Sequence, residues 1–292
     1  VSELSVVIPT RNRPSRLRLT LAALAAQQDP GPFEVLIVDE GAGDIGASAL
    51  VPASLQARFT AGPRHGRAAA RNAGASAAAG EVVVFLDDDI VVGPRFLASH
   101  RDAHSDGPAL VHGRLRELPG AQRALDGRSP ECAGLAPATL ARRGLRLADL
   151  RHFASPLEQA IEALWADGVS ECAPWLLSVG ANLSVERSAW AELGGFDEGF
   201  GRTWGCEDLE LGFRAVRAGV KPRFAPAAYG GHLTHARPGR WQEHAASLRR
   251  FCELHPDSEV AALETLLAPD GSASRYLAAI GFSRSQPPGH GA

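Results

Sequence analysis

Short apolar runs rich in β-branched residues punctuate the N-terminal part of the chain. Leu4 to Ile8 ends at Pro9, Phe33 to Val38 stops at Asp39, and Glu81 to Leu86 runs into Asp87-Asp88-Asp89. Runs of this length, bounded by polar residues, predict buried strands. Between them, Arg16 to Gln27 places Leu17, Leu21 and Leu24 at helical spacing, with Ser15 as the expected N-cap. An Ala-rich helix is expected from His65 to Ala79, ended by Gly80. Strands alternating with helices predict an α/β fold with a largely parallel sheet. Ligands of such sheets sit at the carboxyl ends of the strands, where the polar clusters after Ile8, Val38 and Leu86 lie.

The pattern weakens from Arg114 to Asp167, where Pro, Gly, Arg and Ala dominate, as in a variable insertion or lid. Order returns at Trp175 to Val185. A helix is expected from Glu207 to Ala218, stopped by Gly219, and Trp241 to Leu267 reads as helical. The tail from Ser283 has the composition of a disordered segment.

With 292 residues, 45% of them apolar, the chain can bury one large core or two smaller ones. A net charge of -3 supplies no basic field for nucleic acid. No apolar run reaches the ~20 residues of a membrane span, and no charged and apolar leader opens the chain, so a cytoplasmic location is expected. Cys132, Cys172, Cys206 and Cys252 are scattered without a CxxC pair, which indicates neither a zinc site nor a disulfide framework.

The candidate chemistry is acidic. Three adjacent carboxylates at a strand end repel one another, and a hard divalent cation such as Mg²⁺ or Mn²⁺ would offset that repulsion. The alternative is a solvated turn capping a helix whose first residue is Pro94. Glu207-Asp208 opens a helix, where carboxylates favour the dipole; either could also be a general base. His232 or His235, in Gly231-His232-Leu233-Thr234-His235, could complete a metal site. Arg67 or Arg71 could pair with phosphate. Neither GxGxxG nor GxxxxGK[ST] occurs, which argues against dinucleotide-binding Rossmann and P-loop enzymes.

Five ordered segments resemble the inverting family 2 glycosyltransferases of the GT-A fold. They are SVVIPTRNRP (5–14), EVLIVDEGAGD (34–44), GRAAARNAGASAAAGEVVVFLDDD (66–89), GANLSVERSAWAELGGFDEGF (180–200) and CEDLELGFRAVRAG (206–219). The resemblance implies a mixed, mostly parallel sheet flanked by helices and a helical C-terminal extension. It also implies transfer of a sugar from a nucleoside-diphosphate sugar to an acceptor hydroxyl or amine, with Mn²⁺ or Mg²⁺ as cofactor. Under it, residues 1–235 form the catalytic domain: 1–113 bind nucleotide and metal, 114–170 form the insertion, and 171–235 hold the acceptor. Residues 236–282 form the extension and 283–292 the tail.

By position, Pro9, Thr10 and Arg11 would line the base pocket, and Asp39 would bind base or ribose. Arg71 would contact the diphosphate, with Asp87 and Asp88 also on the donor. Asp89 and His232 would hold the metal, and Asp208 would be the base with Glu207 in support. Gly180, Asn182, Trp204 and the turn Gly194-Gly195-Phe196-Asp197 would shape the sugar and acceptor site. Asp39-Glu40-Gly41 departs from the commoner Asp-Asp-Gly. The QxxRW pattern of processive members is absent, so a non-processive enzyme is expected. A sugar-nucleotide nucleotidyltransferase and a non-catalytic sugar-nucleotide-binding protein are the competing readings; the first lacks its usual Gly-rich loop here, and the retained carboxylates oppose the second.

Overall fold

Among the described residues, eight strands build one mixed sheet: β1 (Leu4–Thr10), β2 (Phe33–Asp39), β3 (Ala57–Ala61), β4 (Val82–Leu86), β5 (Ile90–Val92), β6 (Ala109–Glu117), β7 (Asn182–Glu186) and β8 (Lys221–His232). The computed structural model describes residues 4–41, 50–125, 134–167 and 170–282. Positions 42–44 of the second motif, Cys132 and the expected disordered tail lie outside them. The helices are α1 (Pro14–Leu24), α2 (Arg67–Ala77), α3 (Phe96–Ala103), α4 (Ala121–Leu125), α5 (Pro137–Arg143), α6 (Pro156–Leu164), α7 (Arg187–Glu192), α8 (Glu207–Arg217), α9 (Arg240–Leu254), α10 (Ser258–Ala261) and α11 (Ala273–Ala279).

The strand order is β3-β2-β1-β4-β7-β6-β8-β5. β1 pairs in parallel with β2 on one side and β4 on the other. The chain therefore winds outward from β1, returns, and restarts beside it. That reversal makes a crevice at the carboxyl ends of β1 and β4, the usual ligand position of open α/β sheets. β7 then runs antiparallel to both β4 and β6.

The period-two alternation of strand side chains divides the core. Val6, Ile8, Val35, Ile37, Val84 and Leu86 pack with Leu17, Leu21 and Leu24 of α1. Val7, Leu36, Val38 and Phe85 pack on the other face with Ala68, Ala70 and Ala75 of α2. Helix α2 lies close because Gly74 has no side chain: a Cβ there would fall 2.3 Å from Val7 Cγ1. A third cluster joins Leu209 and Phe213 of α8 to Trp175, Phe251 and Tyr276, and so fastens the C-terminal helices to the sheet domain.

Several expectations are corrected. Helix α1 begins at Pro14 with Arg13 as N-cap, so Ser15 lies inside it. The run from Trp241 does not stay helical to Leu267; α9 ends at Leu254, just before Pro256, which cannot continue a helix. The stretch from Arg114 enters the sheet after all: β6 runs through Glu117, and Leu140 and Leu145 enter the first core. Among the described residues, no helix is long and apolar enough to cross a membrane.

Candidate active site

The Asp87-Asp88-Asp89 turn sits in the crevice beyond β4, and its three carboxylates take different partners. The expected alternative, a turn capping the next helix, is not what forms, because β5 intervenes and α3 starts at Phe96 without a side-chain cap. Asp87 Oδ1 accepts from the Arg71 guanidinium at 2.9 Å. Asp88 points inward, where its Oδ2 accepts from the Thr10 hydroxyl at 2.6 Å. Burial, then the neighbouring Asp89 charge, pushes Asp88 up to about 7. Asp89 Oδ2 accepts from Arg13 at 3.0 Å.

Asp89 is also the centre of a candidate ligand set. His232 Nε2 lies 3.7 Å and His235 Nδ1 3.6 Å from its Oδ2. Ligand atoms of the three residues all fall within 4.8 Å of one another. Two atoms about 2.1 Å from one ion and at right angles lie about 3 Å apart, so a small contraction would let all three share an ion. One carboxylate with two imidazoles leaves positions for phosphate oxygens and suits Mn²⁺. The sequence left His232 and His235 as alternatives, and the fold brings both to Asp89. Burial opposes ionisation of Asp89, but the His232 hydrogen bond and the charges of His232, Arg13 and His235 hold its carboxyl low. Burial works against His232, while Asp89 and Glu117 push it up to about 10. A metal entering here therefore displaces a proton.

The second acidic pair divides its labour. Helix α8 starts from Cys206, whose left-handed backbone (φ 69°) turns the chain sharply before Glu207. Glu207 is 2% exposed and takes Arg71 at 2.9 Å and Arg67 at 3.6 Å. Burial would raise its carboxyl, but Arg67 and Arg71 hold it low. A carboxylate so paired is a poor proton acceptor. Asp208 instead is half-buried, with Oδ2 accepting from Gly180 N–H at 2.8 Å and Oδ1 from Leu209 N–H at 2.9 Å. Burial, then the Glu207 charge, pushes it up to about 6, which poises it as a base near neutral pH.

Arg71, expected at the diphosphate, bridges two carboxylates. It is 1% exposed and ties Asp87 to Glu207, so it joins the two acidic motifs from below. Gly180 makes room for it: a Cβ there would lie 2.7 Å from Arg71 Cζ. Arg67, with a 30% exposed side chain, is the more accessible arginine of that motif.

Other expected contacts also move inward. Pro9 and Thr10 are buried in β1, with Thr10 occupied by Asp88, which leaves Arg11 exposed at the strand end. Asp39 stands in register with Thr10 and accepts from Gly41 N–H at 2.8 Å. Asn182 is fully buried and spends its amide on His100, Ala228 and Arg114, so it supports the crevice without lining it. Trp204 is half-buried and packs edge-on against His244, at 5.3 Å between centroids. In the 194–197 turn, Phe196 carries the Arg71 guanidinium at 5.4 Å and Asp197 binds Arg250.

Sequence reasoning missed Arg13, Arg16 and Glu40. Arg16 is buried, donating to Leu233 O and to Gln122, and lies 3.3 Å from His235 Nδ1, so it fixes the histidine loop. Arg13, the N-cap, and Arg16 lie three apart at the start of a helix that opens at a strand end, a spacing that could have singled them out. Glu40, the departure from Asp-Asp-Gly, accepts from Arg64 N–H at 2.8 Å and Gly66 N–H at 3.0 Å. The longer side chain thereby orders the entry to α2.

Residues 5–128 match the model of glycosyl transferase family 2, and residues 174–237 match that described as the N-terminal domain of galactosyltransferase. A validoxylamine A glucosyltransferase of Streptomyces hygroscopicus subsp. limoneus is 31% identical over 263 residues, 87% of this chain and 57% of the relative. A chondroitin synthase of Escherichia coli is 28% identical over 80% of this chain and 35% of its own length. The chain thus spans little more than half the length of the first of these relatives. Among solved structures, S. aureus TarS 1-349 in complex with UDP-GlcNAc superposes with a TM-score of 0.59 at 17% identity, covering 94% of this chain and 69% of that one. GalNAc-T7 with UDP, GalNAc and Mn²⁺ gives 0.60 at 18% identity, covering 97% and 55%. Both likenesses identify the GT-A fold.

Proposed function

We propose that this chain, which belongs to the family 2 glycosyltransferases, moves a sugar from a nucleoside diphosphate to an acceptor hydroxyl or amine, with inversion and with a divalent cation. The observation that carries this reading is the pairing of two sites in one crevice. Asp89, His232 and His235 form a ligand set, and Asp208, raised to about 6, stands on the neighbouring motif. Arg71 joins the two motifs through Asp87 and Glu207.

Bound by Asp89, His232 and His235, the cation would neutralise charge developing on the departing diphosphate. Arg13, which donates to Asp89, lies beside that position, and Arg67, paired with Glu207, supplies further positive charge from the second motif. Asp208 takes the acceptor proton onto a carboxylate oxygen as the acceptor attacks the anomeric carbon. Gly180 N–H and Leu209 N–H hold that carboxylate in place during the transfer. A single displacement by the acceptor inverts the anomeric centre and requires no enzyme nucleophile.

A thermal-shift screen of UDP, GDP and dTDP, each with and without Mn²⁺, tests the donor reading. One nucleotide is expected to raise the melting temperature only with Mn²⁺, since a ligand stabilises the state it binds. Asp89→Ala should abolish the metal-dependent part. No shift with any of the three, or a shift unaltered by Asp89→Ala, would sink the proposal.

A further inference from the structure

We infer that Glu117 is a positioning residue that presents His232 to the metal in the right tautomer. The inference rests on the metal reading above but concerns a residue outside the ligand set. Glu117 ends β6, and Glu117 Oε2 accepts from His232 Nδ1 at 2.8 Å and from the Thr234 hydroxyl at 2.7 Å. His232 Nε2 is then the nitrogen that faces Asp89 Oδ2 at 3.7 Å.

A neutral imidazole carries one N–H. A carboxylate against Nδ1 keeps the hydrogen there and leaves the Nε2 lone pair for a cation. Such carboxylate–histidine–metal arrangements raise ligand basicity and fix the ring orientation. The Thr234 hydroxyl holds the same Glu117 oxygen, so the acceptor cannot swing away freely.

The fold builds this contact through an irregularity in the β6–β8 pair. Gly113 stands opposite Ala225, but after the irregularity Leu115 stands opposite Gly230, so the register moves by three residues. In the first register Glu117 would face Tyr229; in the second it faces His232. An odd shift also exchanges the two faces of a strand. Irregularities of this kind re-aim side chains beside functional sites. Glu117 is anchored on its other side by backbone hydrogen bonds in both directions with Phe153 of the insertion, at 2.8 and 3.2 Å. The backbone that carries the carboxylate is thus held by Phe153 on one side and by β8 on the other.

The test is Mn²⁺ affinity, measured by the electron paramagnetic resonance signal of free Mn²⁺, alone and with saturating UDP. Wild type, Asp89→Ala, Glu117→Leu and Glu117→Gln are compared, with melting temperatures recorded for each. Glu117→Leu is expected to weaken Mn²⁺ binding by about 10–100-fold, the usual effect of losing such a support. Glu117→Gln, which keeps one acceptor oxygen, should lose less. Should Glu117→Leu fail to fold, Glu117→Gln decides by any loss of affinity at an unchanged melting temperature. Wild-type affinity in the folded Glu117 variants, with binding abolished by Asp89→Ala, overturns the inference and spares the metal reading. Absence of Mn²⁺ binding by the wild type under both conditions overturns both.

Discussion

Asp208 and Glu207 are neighbours in the chain with opposite electrostatic fates. Asp208 is raised by burial and by Glu207, while Glu207 is held low by Arg67 and Arg71. Asp208→Asn keeps the shape and removes the proton acceptor. Its turnover should fall by a factor on the order of 10²–10⁴ while donor affinity is retained. Because the base must be ionised, wild-type kcat/KM should rise with pH through about 6 and level off above it. Donor and acceptor kinetics between pH 5 and 8 check this, and a rise that persists in residual Asp208→Asn activity would reject the assignment. Glu207→Gln instead acts on the fold. It removes one partner of a buried ion pair, although Arg71 keeps Asp87, so a loss of about 3 kcal/mol is expected by chemical denaturation.

At the scale of elements, helix α2 shows packing overruling local propensity. In a free helix Gly74→Ala would stabilise by about 1 kcal/mol. Here the added Cβ would lie 2.3 Å from Val7 Cγ1 and 3.2 Å from Val38 Cγ2, so α2 must lift off β1 and β2. Overpacking of this kind costs about 1–3 kcal/mol, so the net sign should be destabilising. A higher denaturation midpoint for Gly74→Ala would contradict the close approach. The same helix carries Arg67 and Arg71, so the lift should also disturb the bridge between Asp87 and Glu207.

Across the whole molecule, a polar seam runs through the middle of the sheet. Glu186 holds His104, His104 and His100 share the Ser184 hydroxyl, and His100 reaches Asn182. Burial holds His100 neutral and lowers it to about 3, against 6.5 for the free side chain. A group whose folded value is depressed binds protons more readily when unfolded. Its contribution is complete above pH 6.5 and is lost as pH falls from 6.5 toward 3. The difference in unfolding free energy between wild type and His100→Gln should therefore shrink by about 1.4 kcal/mol per pH unit below 6.5. Urea titrations at pH 7, 6 and 5 measure it; a constant difference would mean that His100 takes up its proton as readily in the fold as in the unfolded chain.

The sequence by itself determined the elements whose signals are local. β1, β2 and β4 are short apolar runs ended by polar residues, and α8 follows from its apolar spacing and its acidic first turn. The order of five motifs carried the GT-A fold and the family, because each motif spans one strand end and its loop. β3, β6 and β8 were not legible: β8 contains Pro222, Pro226, Gly230 and Gly231, which read as breakers until neighbouring strands supply hydrogen bonds. Only the tertiary structure decided which polar side chains face the crevice. It buried Arg71, Asn182 and Thr10, brought His235 as well as His232 to Asp89, and set Glu117 against a histidine 115 residues away. Burial and charge pairing arise between segments distant along the chain, so no local pattern of residues encodes them.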